Sequence, residues 1–479
     1  MRYDTRGCCM LFNSQQFLIF FAIVYTLYLF ARDRVQQNII ILVASYVFYA
    51  WASPRYLVLL IFYTLTTFGI AIGIDRAVTP FSRRAYLIAG IAVNLGVLGY
   101  FKYANFFITE VSAVLVRLGF SPHPMVLNIL LPIGVSFFTF QSLAYLIDVY
   151  RRESPAITDL LTFAVFKAFF PQLVAGPIER AHNMMPQIAT PRTLTASDIL
   201  QGAYWVLLGF FLKCVIADRV APIVDSNFSI LDGPNRGPLA ALNGILGFTL
   251  QIYGDFAGYT YIALGTARLM GFQLQRNFLA PYLATSLQEF WRRWHVTLSF
   301  WLRDYLYVPL GGSRRGTIRT HANLLLTMAL GGLWHGASWN FVIWGIYHGC
   351  GLAIQRTLSP YLGWVPRAAR SVGGWALTLF FVMFGWVLFR AGSMAEFADI
   401  IGRLTHAGPV TGADTQASLV LLAFSVIVIL IQRIEEYDPA HAPKMSELAQ
   451  PIRVGAFALM FLAVFAVGFG EYRFIYFQF

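Results

Sequence analysis

Charge is what this chain has least of. Only 12% of its 479 residues are Asp, Glu, Lys or Arg, against about 25% in an ordinary soluble domain. That scarcity excludes a disordered chain and a nucleic-acid-binding module, since both need a polar, charge-rich composition. It also excludes a soluble multidomain enzyme. A soluble fold of this size keeps roughly a quarter of its chain surface in water, and 58% hydrophobic and 16% aromatic residues leave too little polar surface to cover it. An integral membrane protein remains. Acidic residues are scarcer than basic ones, 23 against 35, for a net charge of +12. Such an excess suits loops facing the cytoplasm and anionic headgroups, and it also suits a phosphorylated co-substrate. Cysteine is rare: Cys8, Cys9, Cys214 and Cys350 show no spacing that suggests a disulfide framework or a zinc site. Cys8 and Cys9 lie just before the first apolar run, where lipidation is a minor reading. Several catalytic signatures are missing as well. There is no G-x-x-x-x-G-K-[ST] loop, no H-E-x-x-H and no G-x-S-x-G, so ATP-driven transport, zinc proteolysis and serine hydrolase chemistry lose support.

What is present is a series of apolar runs. A spanning helix needs roughly 20 mostly apolar residues, and stretches free or nearly free of charge occur at 7–31, 35–54, 56–74, 85–101, 125–147, 371–389, 415–432 and 454–470. They are continuous rather than alternating, which favours helices over a lipid-facing barrel. The first is too long for a cleaved signal peptide, and no small-x-small site follows it. In the first third, Arg32, Arg34, Arg76, Arg83 and Arg84 cluster after runs one and three. The positive-inside bias then puts the N-terminus outside. The middle is less regular. Residues 159–175 are broken by Lys167 and Pro171, 239–271 carries Asp255 and Arg268, and 321–348 is dotted with Gly331, Gly332, Gly336 and Gly345. Broken or re-entrant helices are tolerated only where protein or a watery cavity covers them. The expected fold is therefore an all-α polytopic membrane domain over 1–479. About 10–13 transmembrane or re-entrant helices would surround a central tunnel, with the catalytic core at 130–350.

The densest polar stretch runs Glu289-Phe290-Trp291-Arg292-Arg293-Trp294-His295, then Trp301-Leu302-Arg303-Asp304-Tyr305. One reading is an interfacial helix with Trp at headgroup depth and Arg in water. The other is a cytoplasmic mouth whose arginines grip phosphates, because a guanidinium offers a fixed fork of donors. Spacing alone leaves both open. Further on, Gly331-Gly332-Leu333-Trp334-His335-Gly336 places His335 inside a charge-free stretch from 320 to 355. An ionisable side chain there needs a partner or a task. A neutral imidazole can take a proton from a hydroxyl, while the alternative is a histidine hydrogen-bonded to a carbonyl for packing. His295 can reach the same cavity, although a packing role leads for it. Asp148 reads as half of an interfacial ion pair. Asp255 reads as a group orienting a histidine or an arginine, or else as a capped helix break. Residues 170–177, with Pro171 and Pro177, read as a re-entrant kink. His348 reads as structural, and His123, His182, His406 and His441 as loop residues.

Taken together, these residues resemble the membrane-bound O-acyltransferase family, in its branch of bacterial alginate O-acetyltransferases. The resemblance is carried by 44–51 (A-S-Y-V-F-Y-A-W), 99–106 (G-Y-F-K-Y-A-N-F), 131–137 (L-P-I-G-V-S-F), 175–177, 289–295, 301–307, 331–336 and the closing F-I-Y-F-Q-F at 474–479, so it spans nearly the whole chain. It implies an α-helical membrane domain with a tunnel. A cytoplasmic acyl thioester such as acetyl-CoA would be the donor substrate, with no bound cofactor and no metal. The acceptor would be a hydroxyl of an exported polysaccharide, alginate- or cellulose-like. The family motif carries the essential histidine onto His335 and a second one onto His295. From the residues themselves, Arg292, Arg293, Arg303 and Trp334 are donor-binding candidates, and Asp255 and Asp304 supporting ones. Where the family often shows D-F-S-G-Y-S-D, this chain reads Asp255-Phe256-Ala257-Gly258-Tyr259-Thr260-Tyr261, without the second acid. The implied setting is the bacterial inner membrane. The implied partners are membrane lipids, the polymer, and a periplasmic acetyltransferase or export proteins. A transporter of acyl groups, lipid or polymer is the competing reading from another class, although no internal repeat supports it.

Overall fold

In a computed structural model, residues 10–122, 127, 129, 131–174, 176–228, 237–406, 408–436 and 450–468 are described. Cys8, Cys9, His123, Ala175, His441 and the closing segment 474–479 lie outside them. The described residues contain helices and no named strand. Six helical stretches are long and apolar enough to cross a bilayer: Arg34–Ala52, Pro54–Arg76, Pro80–Arg117, Ala196–Phe228, Arg367–Arg390 and Gly412–Glu436. Gln15–Leu29 and Val454–Val467 are shorter and also apolar. Two compact units divide the chain.

The first unit holds Met1–Ala203 and Ala263–Gln275. Its helices are α1 (Gln15–Leu29), α2 (Arg34–Ala52), α3 (Pro54–Arg76), α4 (Pro80–Leu98), α5 (Ala104–Arg117), α6 (Val135–Arg151), α7 (Leu160–Ala168), α8 (Phe170–Leu173) and α9 (Ala181–Ala189). Ser14, Asp33, Thr79 and Asp159 cap α1, α2, α4 and α7 with side-chain oxygens, which satisfies amide groups left over at each first turn. A wide turn at Gly99–Tyr103 joins α4 to α5. The core gathers Tyr49, Leu60, Tyr63, Leu98, Val135, Phe138, Ala168 and Leu173. Two buried charged residues of this unit are internal ties. Lys167 donates to the Phe138 carbonyl and, at 2.7 Å, to the Ser142 hydroxyl. Glu179 accepts from the Gln275 amide and the Asn183 side chain. The expected kink is the break between α7 and the four-residue α8, which carries Pro171 in its first turn.

The second unit holds Tyr204–Ile262 and Arg276–Phe479. Two helices begin in one unit and end in the other: α10 (Ala196–Phe210) and α12 (Pro238–Leu269), separated by α11 (Asp218–Phe228). The 239–271 stretch is therefore one helix of 32 residues, about 48 Å long. After it come the short α13 (Leu287–Arg293) and α14 (Val296–Leu302), then α15 (Thr317–His335), α16 (Trp339–Leu358), α17 (Arg367–Arg390), α18 (Met394–Arg403), α19 (Gly412–Glu436) and α20 (Gln450–Val467). The glycine-dotted stretch resolves into α15 and α16, joined by a tight turn in which Ser338 caps α16. Glycine lets this pair touch backbone to backbone. A Cβ on Gly332 would lie 2.0 Å from the Phe341 carbonyl oxygen, and one on Gly345 would lie 2.1 Å from that of Met328. Only a residue without a side chain tolerates such an approach.

Candidate active site

His335 is the last residue of α15 and is 6% exposed. Its ring lies among Trp334, Trp344 and Phe389, with centroids 5.0, 5.3 and 5.2 Å away. His295 is fully buried and lies between α13 and α14 in the left-handed region, at φ 43° and ψ 55°. A non-glycine residue stays there only when its surroundings over-determine it, and those surroundings are specific. The Val296 and Thr297 amides donate to the Asn277 carbonyl and side-chain oxygens, while the Leu279 amide donates to the Arg293 carbonyl. Phe278 and Trp294 form an antiparallel bridge. The His295 ring meets Phe256 edge-on at 4.8 Å and Trp334 at 6.1 Å. The two histidines expected to act together thus share Trp334 as a neighbour. His348, fully buried, extends the same aromatic cluster through Trp344 and Trp291 at 4.8 and 5.2 Å.

A cavity of about 670 Å³ opens beside this cluster. Trp291, Leu302, Thr327 and Met328 line it, and three arginines, Arg292, Arg303 and Arg356, stand in its wall. Arg292 and Arg356 are exposed, and Arg303 is paired with Asp304 at 2.6 Å. Thr327, Gly331 and His335 follow one another at i, i+4 and i+8 on one face of α15, so the cavity wall begins about 12 Å along that face from His335. Leu302 lies over Gly331, where an added Cβ would be 3.0 Å away. Trp291 and Trp344 connect the cavity to His335 through ring contacts at 5.8 and 5.3 Å.

The remaining sequence candidates lie elsewhere. Arg293 does not line the cavity, because it pairs with Glu289 at 2.6 Å and Glu436 at 3.0 Å. Burial pushes the Glu289 carboxyl up, but hydrogen bonds from Thr285 and the Arg293 charge outweigh it and hold the group below its usual range. Asp255 accepts from Lys213 at 2.6 Å, and Asp218 accepts from the same ammonium at 2.7 Å. Lys213 is thus one partner of Asp255. Tyr261, where the resembled pattern has its second acid, donates its hydroxyl to Glu435. Sequence reasoning missed Arg356, Trp344, Phe389 and Trp386, whose ring stacks on Trp344 at 6.1 Å. The first two belong to the same charge-poor glycine stretch, or its end, and were open to notice by α15–α16 spacing. Trp386 and Phe389 sit in an ordinary apolar run and carry no such signal.

This fold and site define a polytopic helical membrane protein with a buried histidine beside an arginine-walled cavity. The model of the membrane-bound O-acyltransferase family matches residues 148–395. The chain is 41% identical over 429 residues to a probable alginate O-acetylase AlgI of Azotobacter vinelandii, covering 88% of this chain and 84% of that one. It is 40% identical over 458 residues to a probable alginate O-acetylase AlgI of Pseudomonas aeruginosa, covering 92% and 86%. It is 33% identical over 423 residues to a peptidoglycan O-acetyltransferase of Helicobacter pylori, covering 82% and 79%. The chain belongs to the membrane-bound O-acyltransferase family and is a multi-pass membrane O-acyltransferase.

Proposed function

We propose that the protein transfers an acetyl group from a cytoplasmic thioester, acetyl-CoA, to hydroxyls of an exported alginate-like polysaccharide, and that it works in the bacterial inner membrane. His335 is the general base. Its ring nitrogen takes the proton of the acceptor hydroxyl while that oxygen attacks the thioester carbonyl. The carbon–sulfur bond then breaks, and the imidazolium returns the proton to the departing thiolate. His295, held in a fixed backbone conformation beside Trp334, keeps the ring cluster in register and offers a second imidazole near the developing charge. Arg292 and Arg303, joined by Arg356, take the donor phosphates, because a guanidinium matches phosphate oxygens in pairs.

The observation that carries this reading is the order along one face of α15: an arginine-walled cavity at Thr327 and a buried histidine two turns further on. A pantetheine arm is the kind of ligand that needs phosphate anchors at one end and a narrow apolar passage at the other. The relatives' names supply the acceptor class, alginate in two cases and peptidoglycan in the third.

Purified protein in lipid nanodiscs, supplied with acetyl-CoA labelled in the acetyl group, tests it. Label on a short alginate oligomer without other proteins indicates direct transfer. Label that reaches the polymer only when a periplasmic acetyltransferase is added indicates a relay. Retention of wild-type CoA release by His335→Ala removes the mechanism.

A further inference from the structure

We infer that the C-terminal end of α19 is a clamp on the segment that carries His295, and that Glu435 is its central positioning residue. The inference rests on the acyltransfer reading above. Between Arg276 and His295 the chain has only a three-residue turn at Pro281–Leu283 and the seven-residue α13. Elements this short have little stability of their own. Three side chains of α19, at i, i+3 and i+4, grip the segment from one face. Gln432, fully buried, accepts the Tyr282 amide at 2.9 Å. Glu435, 3% exposed, accepts the Tyr261 hydroxyl and pairs with Arg276 at 3.6 Å, while Arg276 also donates to the Tyr261 oxygen at 3.0 Å. Glu436 pairs with Arg293 at 3.0 Å.

Gln432 and Glu436 act inside the segment that folds around His295, and Glu435 ties its first residue, Arg276, to Tyr261 on α12. Tyr282 stacks on Trp294 at 6.1 Å, and Arg293 is two residues from the histidine. A buried ion pair is poor evidence for stability, because apolar residues of similar volume often replace it without loss. Here the pair's role is taken to be a fixed register, the best-attested use of buried ionic groups. The carboxylate absent at position 261 is therefore met from another helix, with Tyr261 as the bridge between Glu435 and Arg276.

The test uses the full chain in membranes of its own host lacking the native copy, so that any partner is present. Acetyl-CoA is titrated and turnover is normalised to folded protein. Glu435→Gln is expected to lower kcat about tenfold or more, as a displacement approaching 1 Å near the chemistry does, while the KM for acetyl-CoA stays within about twofold because the arginine-walled cavity is untouched. Glu435→Asp, which keeps the charge, is expected to recover part of that loss. The combined Tyr261→Phe, Arg276→Met, Glu435→Leu variant keeps the volume and removes the clamp, so it separates register from stability if the single variant folds poorly. Wild-type kcat per folded molecule in Glu435→Gln or in the triple variant overturns the proposal, as does a parallel rise in KM that accounts for the whole loss. His335→Ala runs alongside. If it stays active the acyltransfer reading fails, and if it is inactive while the clamp variants are normal only the clamp fails.

Discussion

Gly332→Ala tests how the α15–α16 contact sets the site. The added Cβ would lie 2.0 Å from the Phe341 carbonyl oxygen and 3.1 Å from the Gly345 nitrogen. A Cβ does not approach another heavy atom closer than about 3.0 Å, so the gap between 3.0 and 2.0 requires a shift of about 1 Å. Both obstructing atoms belong to the backbone of α16, and no side-chain rotation relieves them. His335 lies three residues on, within the same turn, so the shift is transmitted to its ring. Overpacking of this kind costs about 1–3 kcal/mol, offset by up to about 1 kcal/mol from the better helix propensity of alanine. A displacement near 1 Å close to the chemistry lowers turnover by up to about 100-fold. Gly373→Ala on α17 is the control, because a Cβ there meets nothing within 4 Å. That variant is expected to gain a few tenths of a kcal/mol to about 1 kcal/mol and to keep full turnover. Thermal midpoints in detergent and CoA release in nanodiscs read the two effects. If Gly332→Ala matches Gly373→Ala in both, the helix pair does not set the position of His335.

Three further outcomes follow from the same geometry. His335→Ala should lose about 100- to 10,000-fold in turnover, the usual share of general base catalysis, with its thermal midpoint close to wild type. Arg292→Ala combined with Arg356→Ala should raise the KM for acetyl-CoA about tenfold or more, the loss of about 1.5 kcal/mol or more in charge-assisted hydrogen bonds, and leave kcat intact, whereas a fall in kcat alone would contradict the phosphate assignment. Lys213→Met strands two buried carboxylates, so denaturation should show a loss of about 3–5 kcal/mol. Adding Asp218→Asn and Asp255→Asn to it should recover most of that loss, and a triple variant as unstable as the single one would refute the ionic explanation.

The helical membrane fold was legible in the sequence because lipid imposes a length and a composition that can be counted. The apolar runs at 35–54 and 56–74 became α2 and α3 within a few residues, and the glycine-dotted stretch became the α15–α16 pair. The ends of runs were less legible. Pro80–Arg117 extends well past the expected 85–101, because Lys102, which ends the apolar run, lies mid-stretch with its ammonium near the Ser136 hydroxyl and does not stop the helix. At the site, His335 and His295 stood out as ionisable groups next to tryptophan and glycine. Arg356, Lys213 and Glu435 did not: Glu435 meets Tyr261 from 174 residues away, Lys213 meets Asp255 from another helix, and Arg356 reaches the cavity of Arg292 only through the fold, none of which local spacing encodes. Arg293 shows the converse. Its neighbourhood in sequence matches that of Arg292, yet a helix turns adjacent residues about 100° apart, so one lines the cavity and the other meets Glu289 and Glu436.

The strained backbone at His295 explains why so many remote residues converge on this short segment. A left-handed non-glycine residue costs about 1–3 kcal/mol, and two short helices cannot hold it alone. Asn277 fixes the amides that follow it, the Phe278–Trp294 bridge fixes the chain before it, and Phe256 and Trp334 fix the ring. Phe256 in turn directly follows Asp255, whose carboxylate is tied to Lys213. Polar groups buried in a membrane domain are expensive, and on the proposed mechanism they serve to hold the histidine rings to a fraction of an ångström.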